Sequence, residues 1–398
     1  MGVTVLNINA FYPTYDPYDL WATPTGVAVR KNFYSGKLRG KLAAGLLVGA
    51  DLFFPYLARN LFDCRPRYYP IVIAHEILEK SLQNKINYSY ALEALSVLKK
   101  TATYYGTQGG RAWGLGFPWM SKNGFYSPST PFITHTPYVM QALLALAKIN
   151  RVKKEALSMF YDTWFFIEKL LKMHEDTECL ALSYAPVLEH RIVINANAYA
   201  SFAYGLHATY GAVAVKKIAK EKALKISRWV VQQQNKDGSW NYYADDQPGN
   251  FIDCFHSCFV IKNLFRLYKL VPEAENFIAP SLRSGWIFLQ NNFYDTYACV
   301  CHRFSKRDFR DPYKFDLYDQ AEYLGLLIDF GLLENAEYFT QQITGRFRKE
   351  NKWYCKTDNF GRKWGRNFNR WGVMPFKYQM SRLLSCSLSS EGQDTAET

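Results

Sequence analysis

The sequence of 398 residues is short of the features that usually settle a function at sight. Glycine (24) and proline (16) are ordinary in number and no long heptad run occurs, which excludes collagen-like, fibrous and coiled-coil classes. No glycine-rich phosphate loop opens a helix pattern, so a nucleotide-dependent mechanism has no support. The eight cysteines (64, 179, 254, 258, 299, 301, 355, 386) form no CxxC pair. With no basic stretch followed by an apolar one at the start, they read as reduced thiols of a cytoplasmic protein. Leu6 breaks the myristoylation pattern. The most apolar segment, 42–58, is interrupted by Asp51 and Pro55 and is too short to span a bilayer. The groups Cys254/His256/Cys258 and Cys299/Cys301/His302 lack the paired spacing of a metal site, so neither metal nor cofactor is expected. Basic stretches at Arg65/Arg67, 303–310, 346–349 and 362–370 sit in no nucleic-acid-binding motif, and nucleic acid is not expected as a partner.

What is present is apolar, aromatic and basic. Hydrophobic residues make up 48% of the chain and aromatics 17%, with a net charge of +13 that favours an anionic partner. Apolar residues recur at helical spacing in five segments, 138–149, 195–210, 253–270, 316–330 and 370–384, and 71–82 adds a sixth. These are apolar on most faces, as helices buried on both sides are. Between them lie segments with one charged face: 90–100, 155–171, 213–234, 274–291 and 335–348, with 37–61 as the expected outer partner that closes the ring. Six alternating pairs predict an all-α (α/α)6 toroid forming one domain over 1–384, followed by a disordered polar tail at 385–398.

Short aromatic turns recur after the outer segments, among them Arg111-Ala-Trp-Gly114 and Asp237-Gly-Ser-Trp240. Each leads to a polar cluster at the start of an inner helix: Thr134-His135-Thr136, Asn195-Ala-Asn197, Asp253-Cys-Phe-His256, Asp316-Leu-Tyr-Asp319 and Asn369-Arg370-Trp371. If the inner helices are parallel, these clusters converge on one mouth of the ring. Asp253 and His256, three apart on one helix face, suit a carboxylate that orients a proton-transferring imidazole. Asp253 equally suits an N-cap. Asp316 and Asp319 suit paired carboxylates for glycosidic acid–base work, or acidic groups at a helix N-terminus. His135, Tyr184, Asn195, Asn197, Trp240, Tyr318, Arg370 and Trp371 are candidates for substrate binding, with Arg370 as a fork for a uronate or phosphate. Capping and core packing are the alternatives for each.

Tyr15-Asp-Pro-Tyr-Asp19, Pro131 to Tyr138, Asn195-Ala-Asn197, Asp237-Gly-Ser-Trp240, Asp253-Cys-Phe-His-Ser257 and Arg370-Trp371-Gly372 together resemble bacterial surface-polysaccharide proteins of the VpsJ-like kind. The resemblance implies an (α/α) toroid, related in fold to uronyl C5-epimerases, polysaccharide lyases and six-hairpin glycosidases, and a role in exopolysaccharide or O-antigen biosynthesis. Gln234 to Trp240 also resembles one QW element of squalene-cyclase barrels, but Tyr243 stands in the first place of the cyclase acid motif. Cys301-His302 resembles the zinc-binding pair of lanthionine cyclases, without the glycine that follows it there. The expected function is therefore carbohydrate-active: proton abstraction on an acidic, uronate-containing glycan (C5-epimerisation or β-elimination), or hydrolysis. A non-catalytic glycan-binding protein of the assembly machinery is the alternative. Its basic surface also allows peripheral association with the inner membrane.

Overall fold

The computed structural model describes residues 11–105, 110–305 and 314–394. Residues 1–10, the 306–310 part of one basic stretch and the 395–398 end of the expected tail lie outside them. Fourteen α-helices are described: α1 (Pro24–Tyr34), α2 (Leu38–Phe53), α3 (Pro55–Leu61), α4 (Pro70–Leu82), α5 (Tyr88–Thr101), α6 (Thr136–Leu146), α7 (Lys153–Ile167), α8 (Ile194–Tyr210), α9 (Val213–Gln232), α10 (Cys254–Leu270), α11 (Glu275–Asn292), α12 (Leu317–Asp329), α13 (Leu333–Phe347) and α14 (Met374–Asp394).

Helices α4, α6, α8, α10, α12 and α14 each pack on the next, and α14 packs back on α4, closing an inner ring. Outside it, α5, α7, α9, α11 and α13 each lie on the inner helix that precedes them in the chain. The fold is an all-α (α/α)6 toroid. Sequence explains the layering. In α8 every residue from Ile194 to His207 is buried, because the helix meets neighbours all round. In α9 only a stripe through Ala219, Ala223, Ile226 and Val230 is buried, and the lysines face outward. One apolar core runs through the ring from Phe11 to Leu383.

The N-terminal stretch departs from expectation. Residues 37–61 are helical, but α2 packs chiefly on α1 and α3, and α1 on the turn Leu20–Ala22 and on the strand Trp119–Ser121. The reason is charge. Arg59, fully buried, donates to Asp19 (3.1 Å), Asp51 (2.6 Å) and the Asp16 carbonyl (2.8 Å), which ties α3 to the loop before α1. At the other end, α14 runs on to Asp394 where a tail was expected from 385, and Cys386 still packs against the core.

Two of the aromatic turns cap outer helices. Trp113 donates its indole N–H to the Leu98 carbonyl of α5 (2.9 Å), and Trp240 donates to the Val230 carbonyl of α9 (3.0 Å). Carbonyls of a last helical turn have no partner within the helix, so each indole fills a need that the repeat regenerates. Gly238 (φ 92°) is required in the second turn, since a Cβ there would stand 2.4 Å from the Ser284 carbonyl oxygen.

Deep in the ring Lys262 of α10 reaches Glu322 of α12 (2.5 Å) and the Tyr138 hydroxyl of α6 (2.8 Å), which bonds the Tyr199 hydroxyl of α8 (2.6 Å). Both charged side chains are buried, so neither tolerates loss of its partner. Lys262→Met should cost about 3–5 kcal/mol in urea denaturation, and adding Glu322→Met should recover much of it. Equal losses in the single and double variants would show that the pair does not act as a unit.

Candidate functional site

The first turns of all six inner helices meet at one end of the ring. Ile71 of α4, His135 capping α6, Asn195 of α8, His256 of α10, Tyr318 of α12 and Arg370–Trp371 before α14 line one cavity of about 290 Å³. That is the small end of ligand pockets, enough for one or two sugar rings. Helix α14 reaches the cavity through a wide turn, Asn369–Val373, in which Gly372 (φ 99°) passes against α12. A Cβ there would lie 2.7 Å from the Tyr318 nitrogen.

Aromatic rings make the walls. Trp371 and Tyr318 stack at 5.1 Å and 22°, and Tyr242 and Phe251 at 4.8 Å and 14°. Tyr18 stands edge-on to both Trp119 (4.7 Å) and Trp371 (5.1 Å). Tyr199 links the cavity to the Lys262–Glu322 network beneath it.

Two imidazoles line this cavity. His256 holds Asp253 through Nδ1 (2.8 and 2.9 Å), while Asp253 also caps α10 by accepting from the His256 backbone N–H (3.0 Å). One carboxylate thus serves both purposes that the sequence left open. With Nδ1–H on Asp253, the ring presents Nε2 as its basic nitrogen. His135 bonds Thr134 Oγ1 through Nδ1 (3.2 Å), and Thr134 donates on to the Tyr184 hydroxyl (2.9 Å). That relay makes Nδ1 the protonated nitrogen and leaves Nε2 an acceptor. Burial, helped by the charge of Arg370, pushes His135 down to about 3, so it is neutral. Its Nε2 and the Oδ1 of Asn195 are buried acceptors with no protein partner. Both belong to side chains that line the cavity, though the two atoms themselves are buried.

Other candidates do other work. Asn197 is fully buried and bonded to the backbone of Leu182 and Val193, so it anchors a strand and does not reach the cavity. Trp240 is the cap described above. Asp316 caps α12 and accepts from the Trp371 indole (2.9 Å). Asp319 has no exposed surface and is held by Arg303 Nε (2.8 Å), which pairs with Asp316 through Nη2 (3.1 Å). Neither aspartate lines the cavity, so they are not arranged as a catalytic carboxylate pair. Arg370 does line it, but Nε and Nη2 are bound to Asp16 (2.6 and 2.7 Å). Burial works against its charge, Asp16 outweighs this, and the guanidinium stays above its ordinary range.

Sequence reasoning missed Glu189. This buried carboxylate accepts from the Tyr126 hydroxyl (2.8 Å) and the backbone N–H groups of Tyr184 (2.7 Å) and Ala185 (3.2 Å), fixing the Tyr184 loop. Burial raises it to about 7. A lone Glu in a loop gives no periodic signal. Tyr18 was within a quoted motif but was not singled out. Among the described residues, no cluster of three His, Cys, Asp or Glu is placed to hold a metal ion.

No family profile and no curated protein matches the chain. Solved structures do. Cellobiose 2-epimerase from Bacillus thermoamylovorans is similar with a TM-score of 0.59 at 10% identity, covering 81% of this chain and 89% of its own. A D-mannose isomerase is similar with a TM-score of 0.58 at 13% identity, covering 80% and 86%. A GH76 α-mannanase from Bacteroides thetaiotaomicron is similar with a TM-score of 0.57 at 10% identity, covering 80% and 86%. At these identities the likeness establishes the fold: a toroid found in enzymes that act on sugars.

The buried imidazoles carry a pH signature. His75 and His207 are also pushed down by burial, to about 3 and about 4. A folded-state value below the ordinary 6.5 contributes stability that is complete above about pH 6.5 and lost as pH falls toward 3. His135→Phe should therefore lose less stability than wild type between pH 7 and pH 5 in denaturant titrations. Parallel pH profiles would show that His135 is not held neutral in the fold.

Proposed function

We propose that the chain is a carbohydrate epimerase or isomerase that moves a proton at a carbon next to a sugar carbonyl. The observation that carries this reading is the composition of the cavity wall: two imidazoles, aromatic platforms, and, among the described residues, no carboxylate. A glycosidase of the two-carboxylate kind needs both acids at the bond it cleaves. Here Asp316 and Asp319 are committed to Arg303, and Asp253 to His256. Proton transfer needs one positioned base and a group that stabilises its charged form, which His256 and Asp253 supply.

In this mechanism a sugar ring or open chain lies against Trp371 and Tyr318, and a substrate hydroxyl donates to His135 Nε2 or Asn195 Oδ1. His256 Nε2 takes the proton from the carbon beside the carbonyl. The electron pair of that C–H bond moves into an enediolate, and Asp253 stabilises the imidazolium. Return of the proton from His256 to the former carbonyl carbon, with the hydroxyl proton of the neighbouring carbon passing to the former carbonyl oxygen, gives the isomer; the epimer forms when the enediolate turns its opposite face to His256 before the proton returns. Names of the similar structures include both outcomes, a 2-epimerase and an isomerase.

The uronate form of the reaction needs a cation for the carboxylate. Arg370 shares its charge with Asp16 through two bonds, and Lys122 bonds the Gly249 carbonyl (2.9 Å). The pairing of Arg370 with Asp16 supports a neutral sugar over an acidic glycan, while Lys122 keeps its charge at the wall. A place in surface-polysaccharide biosynthesis rests on the sequence motifs alone.

The test is incubation with reducing mono- and disaccharides in deuterated water, followed by NMR. Deuterium at C2 of a new epimer, or at C1 of a new ketose, is expected. His256→Ala should lower the rate by roughly 10²–10⁴-fold, and Asp253→Asn by less. Exchange at C5 of a uronate, or unsaturated ends, would move the reading to the acidic glycan. Sugar binding without exchange in any substrate would make the chain a binding module and overturn it.

A further inference from the structure

We infer that α2 and α3 form a docking surface for an anionic lipid bilayer, beside the mouth of the cavity. Helix α2 is apolar on most of its circumference from Leu42 to Ala50, a pattern that normally means burial on all sides. Yet Leu38 is 71% exposed and Leu46 76%, and Leu42, Phe53, Phe54 and Leu57 lie open with them. Leu38, Leu42 and Leu46 follow one another at four-residue spacing and so share one helix face. Monomeric proteins rarely leave so continuous an apolar face to water, and its presence marks an interaction site.

Charge decides what covers it. Exposed cations crowd the end of α1, the turn after it and the start of α2: Lys31, Lys37, Arg39 and Lys41. The acids of this stretch do not balance them, since Asp51 is paired with Arg59 and Asp63 with Arg65. An apolar face rimmed by lysine and arginine complements a membrane interface, where side chains enter the acyl region and cations meet phosphates. A second copy of this chain docked by a two-fold axis would bring the same cations together, and like charges across an interface oppose association. Among the described residues no helix is long and apolar enough to cross a membrane, so α2 and α3 would lie in the interface plane.

The surface is coupled to the site. Tyr34 at the end of α1 lines the catalytic cavity, and Val48 and Leu52 of α2 line a second cavity of about 160 Å³. Tyr18 and Trp371 wall both cavities. Docking through α2 would thus hold the mouth close to the bilayer, where membrane-tethered saccharides are presented. The inference does not depend on the chemistry proposed for His256.

The full chain should co-sediment with vesicles of equimolar phosphatidylcholine and phosphatidylglycerol, and far less with phosphatidylcholine alone. High salt should weaken the binding. Replacing three cations together (Lys37→Glu, Arg39→Glu, Lys41→Glu) should lower partitioning by roughly 100-fold or more. Leu42→Ser with Leu46→Ser should abolish it while leaving thermal melting unchanged, since both side chains are exposed. Failure to bind either vesicle would overturn the proposal. So would a concentration-dependent dimer in sedimentation that Leu42→Ser with Leu46→Ser dissociates, or vesicle binding that these variants leave intact.

Discussion

Arg370 and Asp16 are 354 residues apart in the chain and joined by two hydrogen bonds. Both are buried, so each would be a costly uncompensated charge without the other. The pair fastens the segment before α1 to the turn that begins α14. Arg59 fastens that segment to α3, and the Tyr69 hydroxyl reaches Asp19 (3.3 Å) from the start of α4. Burial above all, with the nearby Asp16, raises Asp19 to about 6. With this knot in place Tyr18 is set between Trp119 and Trp371, and the first turns of the inner helices keep a common mouth. Without it, the cavity would lose one wall and the charge that offsets Arg370.

Much of the ring was legible because layering in a toroid is a burial pattern. All-round apolar helices alternate with helices that bury one stripe, and the eye finds this in 195–210 against 213–234 without any long-range knowledge. The exception is instructive. Residues 37–61 have the apolar content of a packed helix, but the contact that places them is a buried arginine whose partners are 8 and 40 residues away. Hydrophobic periodicity carries no information about such a bond.

The site was less legible, because capping and catalysis use the same residue types. Asn195 and Asn197 are two residues apart, which on a helix turns them about 200° from one another. One therefore faces the cavity and the other the Leu182 strand. Asp253 and Asp316 both cap helices, yet only Asp253 meets an imidazole on the cavity wall; what separates them is Arg303, which takes Asp316 and Asp319 out of play. Trp240, in one of the recurring aromatic turns, was a candidate for substrate binding. Trp113 and Trp240 bond instead to carbonyls in the last turns of the preceding helices. Platforms at the mouth come from residues such as Trp371 and Tyr318, whose packing depends on the turn at Gly372.

What emerges is a cavity in which rigidity and chemistry are assigned to different layers. Paired charges, Arg370 with Asp16 and Arg303 with Asp316 and Asp319, lie around it, and two buried acceptors without a protein partner, His135 Nε2 and Asn195 Oδ1, belong to side chains on its wall. The account stands on His135 and His256 facing a single ligand from that wall. Nitrogen NMR of histidine-labelled protein during a sugar titration tests this most directly. The account predicts that the Nε2 signals of both residues move together along one binding curve, with Nδ1 protonated in each. Movement of neither, or of His256 alone with His135 unchanged through saturation, would contradict it.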